Sequence, residues 1–344
     1  MNDRYSRQER FRPIGPEGQI KLKRAHVLVV GAGALGSASA EMLVRAGVGS
    51  LTIVDRDYVE ASNLQRQQLY TEDDVNHHLP KAAAAEKRLR LINHSVEVKG
   101  IVTDVTAEKI LDLAEGSSLI IDAVDNFETR LIVNDAAVKL GIPFLYGACV
   151  ASYGITYTVI PKKTPCLHCL LGHFSTNDLT CDTSGIISPV VQQVSALQVT
   201  DALKLLTGHE MTGMIRSFDL WTNERAEIHA DLLKDQACPT CVAQMFPFLS
   251  TQNATKAAVL CGRETVQIRA AGEKPPALKE LATRFRKAGL HVVGNPYLVS
   301  CKLEDCKLVI FRDGRAFIHG LNDVNKAKTI YHKWIGRSAK HENI

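Results

Sequence analysis

Residues 26–66, HVLVVGAGALGSASAEMLVRAGVGSLTIVDRDYVEASNLQR, constrain this chain more than any other stretch. His26–Val30 is a short apolar run and reads as a buried strand. Gly31, Gly33 and Gly36 follow at the spacing of a phosphate-binding glycine loop, with Ala34 among them. Leu35–Ala46 shows helical apolar periodicity, and Leu51–Val54 reads as a second buried strand that ends in Asp55. In this order the parts make a nucleotide-binding unit. Glycines let the backbone approach a phosphate, the helix N-terminus offers N–H groups at a positive dipole end, and the acid can take ribose hydroxyls. Taken alone, the unit reads by default as part of an NAD-dependent oxidoreductase.

Strands and helices alternate through residue 147. The expected fold is therefore α/β: a Rossmann-like, doubly wound, mostly parallel sheet with antiparallel closing strands. Pro80 at a first helical position opens KAAAAEKRLRLIN, residues 67–79 read as a polar connection, and Ser188–Leu206 is a long helix. Tyr5, Phe11 and Ile14 are candidates to anchor the polar N-terminal arm on the body or on another subunit. A boundary is expected near residue 250, separating a larger domain, 1–249, from a small C-terminal α+β domain, 250–344. The latter should hold a strand at 264–268, a helix at 277–288, three strands with a turn at 312–315, and a helix at about 322–334.

A length of 344 residues suits two domains, and 45% hydrophobic with 23% charged residues is typical of soluble globular chains. The net charge of +4 is small and its residues are spread along the chain, which argues against nucleic acid as a partner. No apolar run approaches the ~20 residues a membrane helix needs, so no membrane partner is expected. The charged start, MNDRYSRQERFR, has no signal-peptide core, and a cytoplasmic location follows as an expectation. Nine cysteines in such a chain point to metal or redox chemistry before disulfides.

Cys166–Cys169 and Cys238–Cys241 are two C-x-x-C pairs, each with the bite for two corners of tetrahedral Zn(II). Four thiolates close the shell, so the site would be structural. Two redox dithiols are the bland alternative. Asp125 ends a strand at the edge where ligands bind in this architecture, and either holds Mg(II) with a nucleotide or caps the next helix. Lys81 stands in the first turn of its helix, where the dipole disfavours a cation; either an anion lies nearby or it is a solvated lysine at an exposed helix start. Asn63 and Arg66 leave the same sheet edge as Asp55. Cys181, in the polar stretch STNDLTCDTSG, is either a nucleophile or incidental. Cys149, Cys261, Cys301 and Cys306 read as thiols without function.

These motifs together resemble the ThiF/MoeB/HesA family, bacterial relatives of ubiquitin-activating enzymes. The resemblance spans roughly residues 4–247 and rests on RYSRQ at 4–8, GAGALG at 31–36, VDRDYVEASNLQRQ at 54–67, PK at 80–81, DAVDNFETR at 122–130, PCLHC at 165–169, LTCDTSG at 179–185 and CPTC at 238–241. It implies an adenylyltransferase that uses ATP and Mg(II) on the C-terminal glycine carboxylate of a ubiquitin-like sulfur carrier, releasing pyrophosphate. The carrier would be ThiS-like, in thiamin biosynthesis, or MoaD-like, in molybdopterin biosynthesis. Carried over, Asp55 holds the ribose, and Ser62, Asn63, Arg66, Lys81 and Asn126 line the nucleotide with the glycine loop. Asp125 holds Mg(II), the four cysteines hold zinc, and Cys181 matches a loop thiol used in sulfur or acyl transfer by some members. Arg7 resembles an arginine that reaches the phosphates from the partner of a homodimer, and a sulfur donor protein is a further implied partner. Ala34 replaces a further glycine and keeps its N–H. The C-terminal appendage lacks the Cys-x4-Arg loop of a rhodanese domain. The rivals to this reading are the oxidoreductase and a non-enzymatic nucleotide-binding zinc scaffold.

Overall fold

The computed structural model describes residues 3–171, 184–250, 257–259, 264–268 and 277–335. Cys181 and Cys261 lie outside them. The chain divides into two compact units, one of residues 1–75 and 80–253, the other of 76–79 and 254–344.

The first unit is built on an eight-stranded sheet. Its strands are β1 (His26–Val30), β2 (Ser50–Asp55), β3 (Glu97–Val102), β4 (Leu119–Asp122), β5 (Phe144–Val150), β6 (Tyr153–Val159), β7 (Met214–Asp219) and β8 (Glu224–His229), in spatial order β3-β2-β1-β4-β5-β6-β7-β8. The first five are parallel; β6, β7 and β8 join antiparallel. Val27, Val29 and Val30 are buried because β1 is flanked by strands on both edges and covered on both faces, which is why it reads as a continuous apolar run. Strand order reverses between β1 and β4, and the crevice at their carboxyl ends is where such sheets bind ligands.

The helices are α1 (Ser6–Glu9), α2 (Gly15–Leu22), α3 (Ala34–Ala46), α4 (Glu72–Asn76), α5 (Lys81–Ile92), α6 (Ala107–Ala114), α7 (Phe127–Leu140), α8 (Leu167–Leu171) and α9 (Ser188–Thr207). Two details differ from the sequence reading. The connection 67–79 contains α4, and Pro80 is the N-cap of α5, leaving Lys81 as its first helical residue. The arm is fixed on its own chain. Tyr5 is buried and its hydroxyl accepts from Asn93 Nδ2 at 2.8 Å, while Gln8 Nε2 donates to Ala46 O at 2.8 Å. Phe11, by contrast, stays 60% exposed.

The second unit is a six-stranded antiparallel sheet of β9 (Ala257–Val259), β10 (Thr265–Ile268), β11 (Val292–Gly294), β12 (Leu298–Lys302), β13 (Lys307–Phe311) and β14 (Ala316–His319), in order β11-β12-β13-β14-β10-β9. α10 (Leu278–Lys287) and α11 (Val324–Ile335) complete it. Four strands follow α10 instead of the three expected, because Val292–Gly294 forms a short edge strand against β12. The turn at 312–315 is in place between β13 and β14. Cys301 and Cys306 belong to this unit's core, and burial pushes the Cys301 thiol up to about 11.

Candidate functional site

The glycine loop joins β1 to α3. Gly31 has φ +97°. A Cβ there would strike the Ala123 carbonyl, and one on Gly36 would strike the Gly31 carbonyl. These two glycines are therefore demanded by close backbone packing. Gly33 differs: its Cβ direction is open, with only Gln67 Nε2 at 3.9 Å. Gly33 is the N-cap of α3 and no side chain caps the helix, so the N–H groups from Ala34 onward face this open side without a competing side chain.

Asp55 grips that loop. Its Oδ2 accepts from Ala32 N–H at 2.6 Å and its Oδ1 from Asp57 N–H at 2.7 Å. Burial and then the charge of Asp57 push its carboxyl upward, against the pull of Lys81. Asp57 in turn holds Lys81. Its Oδ2 lies 2.7 Å from Lys81 Nζ, and its carbonyl accepts from Lys81 N–H at 2.9 Å. The Tyr70 hydroxyl closes the ring, 2.5 Å from Ala32 O and 3.3 Å from Lys81 O. Of the two alternatives for Lys81, the nearby anion is thus the one found, within the chain, as Asp57.

The remaining predicted residues fall around the same sheet edge. Asn63 is buried, and its Oδ1 accepts from Glu60 N–H at 3.0 Å, closing the short turn at 61–63. Ser62 is exposed and its carbonyl accepts from Arg66 Nη1 at 2.9 Å. Asp125 is exposed in the loop after β4. The cap of α7 is Asn126, which accepts from Thr129 N–H at 2.9 Å, so Asp125 is not held in that task. Asn126 Nδ2 also lies 3.3 Å from Asp125 Oδ1. Arg7 is exposed on α1.

Three residues were passed over in the sequence: Arg56, Asp57 and Tyr70. Arg56 stands among Asp104, Asp125, Asp57 and Asp55; burial opposes its charge and these four carboxylates outweigh that opposition. Its Nη1 is 3.5 Å from Asp104 Oδ1. Arg56 and Asp57 directly follow Asp55 at the carboxyl end of β2, and that position alone was the available signal. Beneath Asp125, Arg130 braces the loop. Its Nε is 3.1 Å from Asp122 Oδ2, its Nη2 donates to Val124 O at 2.7 Å, and burial pushes Asp122 up to about 6.

The four cysteines converge. Cys166 and Cys238 sulfurs are 3.6 Å apart, Cys169 and Cys241 sulfurs 3.5 Å, and all four lie within 4.8 Å of one another. Tetrahedral zinc with ~2.3 Å bonds sets sulfurs roughly 3.8 Å apart, so the quartet can hold a metal ion such as zinc. A hydrogen bond to Cys169, then burial, push the Cys166 thiol up, while that same bond draws Cys169 down to about 5. His168 is turned away to Thr240, 3.1 Å from its Oγ1. Thr240 donates to Asp135 at 2.7 Å, and Asn134 accepts from Leu167 N–H at 2.9 Å.

With this geometry in view, the comparisons with known proteins decide the family. The ThiF family model matches residues 5–240. The chain belongs to the ThiF family. It is 67% identical over 336 residues to the Bacillus subtilis protein named sulfur carrier protein ThiS adenylyltransferase, covering 98% of this chain and all of that one. The Salmonella typhimurium molybdopterin-synthase adenylyltransferase is 35% identical over 241 residues, 69% of this chain and 95% of that one. A crystal structure of Escherichia coli MccB shares the fold, with a TM-score of 0.61 at 21% identity over 71% of this chain and 74% of that one. ThiF-family membership displaces the oxidoreductase reading that the glycine loop invites.

The pair at the centre of this ThiF-family site has a measurable signature. Asp57→Ala leaves Lys81 as a buried unpaired cation and is expected to cost about 3–5 kcal/mol in denaturant unfolding. Asp57→Leu combined with Lys81→Met removes both charges and should recover most of that loss. Equal stability of Asp57→Ala and wild type would show that the pair does not hold the ring.

Proposed function

We propose that this chain uses ATP to adenylate the C-terminal glycine carboxylate of a ubiquitin-like sulfur carrier. The observation that carries the reading is the open glycine loop locked to Lys81 through Asp55 and Asp57, in a chain of the ThiF family. Identity to the Bacillus subtilis protein over nearly the whole of both chains favours a ThiS-like carrier, and thiamin biosynthesis, over a MoaD-like one. None of the seven described cysteines is in a disulfide.

In the reaction a carboxylate oxygen bonds to the α-phosphorus and the bond from that phosphorus to the bridging oxygen breaks. Pyrophosphate leaves with the electron pair. A carboxylate needs no general base. Two anions must instead be brought together, and charge must be neutralised as it moves onto the leaving group. The loop N–H groups from Gly33 and Ala34 hold phosphate, and Lys81 and Arg66 offset its charge. Asp55 keeps lone pairs for ribose hydroxyls beyond the two N–H bonds it accepts. Ser62 and Asn63 shape the turn that presents Arg66. Asp125, exposed and relieved of capping by Asn126, is the residue fitted to hold Mg(II). Mg(II), when bound, supplies charge neutralisation on the phosphates. Zn(II) on Cys166, Cys169, Cys238 and Cys241 has a closed shell and is structural. Cys181 belongs to the later sulfur transfer, fed by a sulfur donor protein. Arg7, exposed on α1, reaches the phosphates of the second subunit of a homodimer.

Asp125→Asn is expected to abolish carrier-dependent ATP–pyrophosphate exchange with the fold intact. Asn126→Ala, which removes the cap, should cost about 1 kcal/mol of stability. Near-normal exchange by Asp125→Asn would refute its metal-holding role.

Zinc analysis of wild-type protein should give one ion per chain, and Cys166→Ser should lower metal content and Tm together. Carefully purified wild type that is metal-free and equally stable would sink the structural zinc.

Sharing of the site between subunits is open to complementation. Arg7→Ala and Asp125→Asn are each expected to be nearly inactive. In a mixed dimer one pocket receives an intact Asp125 and an intact Arg7, and the other carries both lesions. Random exchange makes half the dimers mixed, so roughly a quarter of wild-type pyrophosphate release should return. If mixed dimers form and activity stays at the single-mutant level, Arg7 does not act across the interface.

A further inference from the structure

The net charge of +4 conceals a segregation. Residues 1–253 hold 24 Lys and Arg against 29 Asp and Glu, a balance of −5; residues 254–344 hold 17 against 8, a balance of +9. Residues 76–79, Asn-His-His-Leu, add no formal charge to either. The even spread expected from the whole-chain figure is therefore corrected: the basic excess belongs to the second unit.

Within that unit the charge concentrates on two helices. The Phe285 and Trp334 rings meet edge-on at 5.6 Å, the Arg284 guanidinium donates to the Trp334 carbonyl, and Leu281, Phe285, Ala327 and Ile335 share one core. α10 and α11 thus lie together on one face of the sheet. Turned outward from that core are Lys279, Arg286 and Lys287 of α10 and Lys326, Lys328 and Lys333 of α11, all exposed. Glu280 is the one acid in either helix. Among the described residues none of these six cations is in an ion pair. Against Glu280, and Asp323 just before α11 beside Lys326, the six cations leave a strongly positive balance, and such a field steers an oppositely charged macromolecule.

We infer that the α10–α11 face docks the acidic side of the sulfur-carrier protein and recruits it for adenylation, an inference that rests on the function proposed above. Three observations select this occupant. The family model ends at residue 240 and the Salmonella adenylyltransferase is matched almost end to end over 69% of this chain, so adenylyl transfer does not require the second unit, which is left to association. The first unit's negative balance gives an acidic protein no long-range attraction of its own. The face also offers lysine point charges rather than a stacking platform, since Trp334 packs on Phe285 and Trp334 and Tyr331 are both half-buried. Carboxylates on a protein surface need no such platform, whereas single-stranded nucleic acid uses one.

The test uses the full chain. Lys326→Glu, Lys328→Glu and Lys333→Glu are combined, with the triple Gln variant as a milder companion, and pyrophosphate release is followed against carrier concentration at low and high salt. The KM for carrier should rise about tenfold at low salt in the Glu variant and less in the Gln variant. The kcat and the KM for ATP should hold, and the difference should shrink at high salt as screening removes the field. An unchanged KM for carrier, with wild-type release still carrier-dependent, overturns the docking surface and leaves the function standing. A labelled RNA bound by wild type and lost by the variants, with the carrier KM unchanged, assigns the face to nucleic acid and equally overturns it. Absence of carrier-dependent release from wild type instead overturns the function, and the docking proposal with it.

Discussion

The site depends on the carboxylate of Asp55 accepting two backbone N–H groups at once. One belongs to the glycine loop and one to Asp57, whose own carboxylate is committed to Lys81. The glycine loop and the lysine that starts α5 are thereby fixed to each other within the chain. Two buried carboxylates against one ammonium leave an excess negative charge, and Arg56 answers it from the same edge. Charges at this depth are tolerated because each oxygen of the two carboxylates has a donor: Ala32 and Asp57 N–H for Asp55, Tyr58 N–H and Lys81 Nζ for Asp57. Under the function proposed, this is preorganisation: Lys81 need not be ordered when phosphate binds, so less binding energy goes into positioning.

α7 carries this rigidity away from the nucleotide edge. Asn126, Arg130 and Asn134 recur at four-residue spacing and so share one stripe of the helix. Asn126 caps the helix beside Asp125, Arg130 binds Asp122 and the Val124 carbonyl, and Asn134 receives the N–H of Leu167 between the first two cysteines. Asp135 takes Thr240 from between the second two. A metal bound by the four thiolates therefore tightens two loops seated on the helix that supports the loop of Asp125. A structural ion placed in the core in this way reaches the chemistry only through packing and hydrogen bonds.

What could be read from the sequence was what is local in the chain. The glycine loop, the strand before it and the helix after it lie within a few residues of one another, and each C-x-x-C pair declares its bite on its own. Pairing the two across 72 residues needed only the chemistry of zinc. The placement of Lys81 left a nearby anion and plain solvation both open, because Asp57 lies 24 residues earlier and the two meet only when α5 packs against the end of β2. Asp125 and Asn126 are adjacent and both are good caps; only the backbone conformation assigns the task to Asn126. β9 and β11 span three residues each, too short for alternation to show.

The same locality explains why whole-chain composition misled about charge. A balance of +4 is a difference between large numbers, and it hides two bodies of opposite sign. Counting by unit requires knowing where the chain divides, and that comes from which residues pack together. Once the division is drawn, the apolar stripes of α10 and α11 account for their inward faces, and the core needs nothing from the outward ones. Of the six cations on those faces, Lys333 stands over the Trp334 ring at 5.7 Å and Lys326 feels Asp323, while none is in an ion pair among the described residues. With Glu280 the one acid in either helix, their charge balance departs from the mixed surface charge of most amphipathic helices. A strongly basic face, on a unit beyond the stretch that the family model matches, fits the approach of a partner better than a share in the chemistry proposed for the first unit.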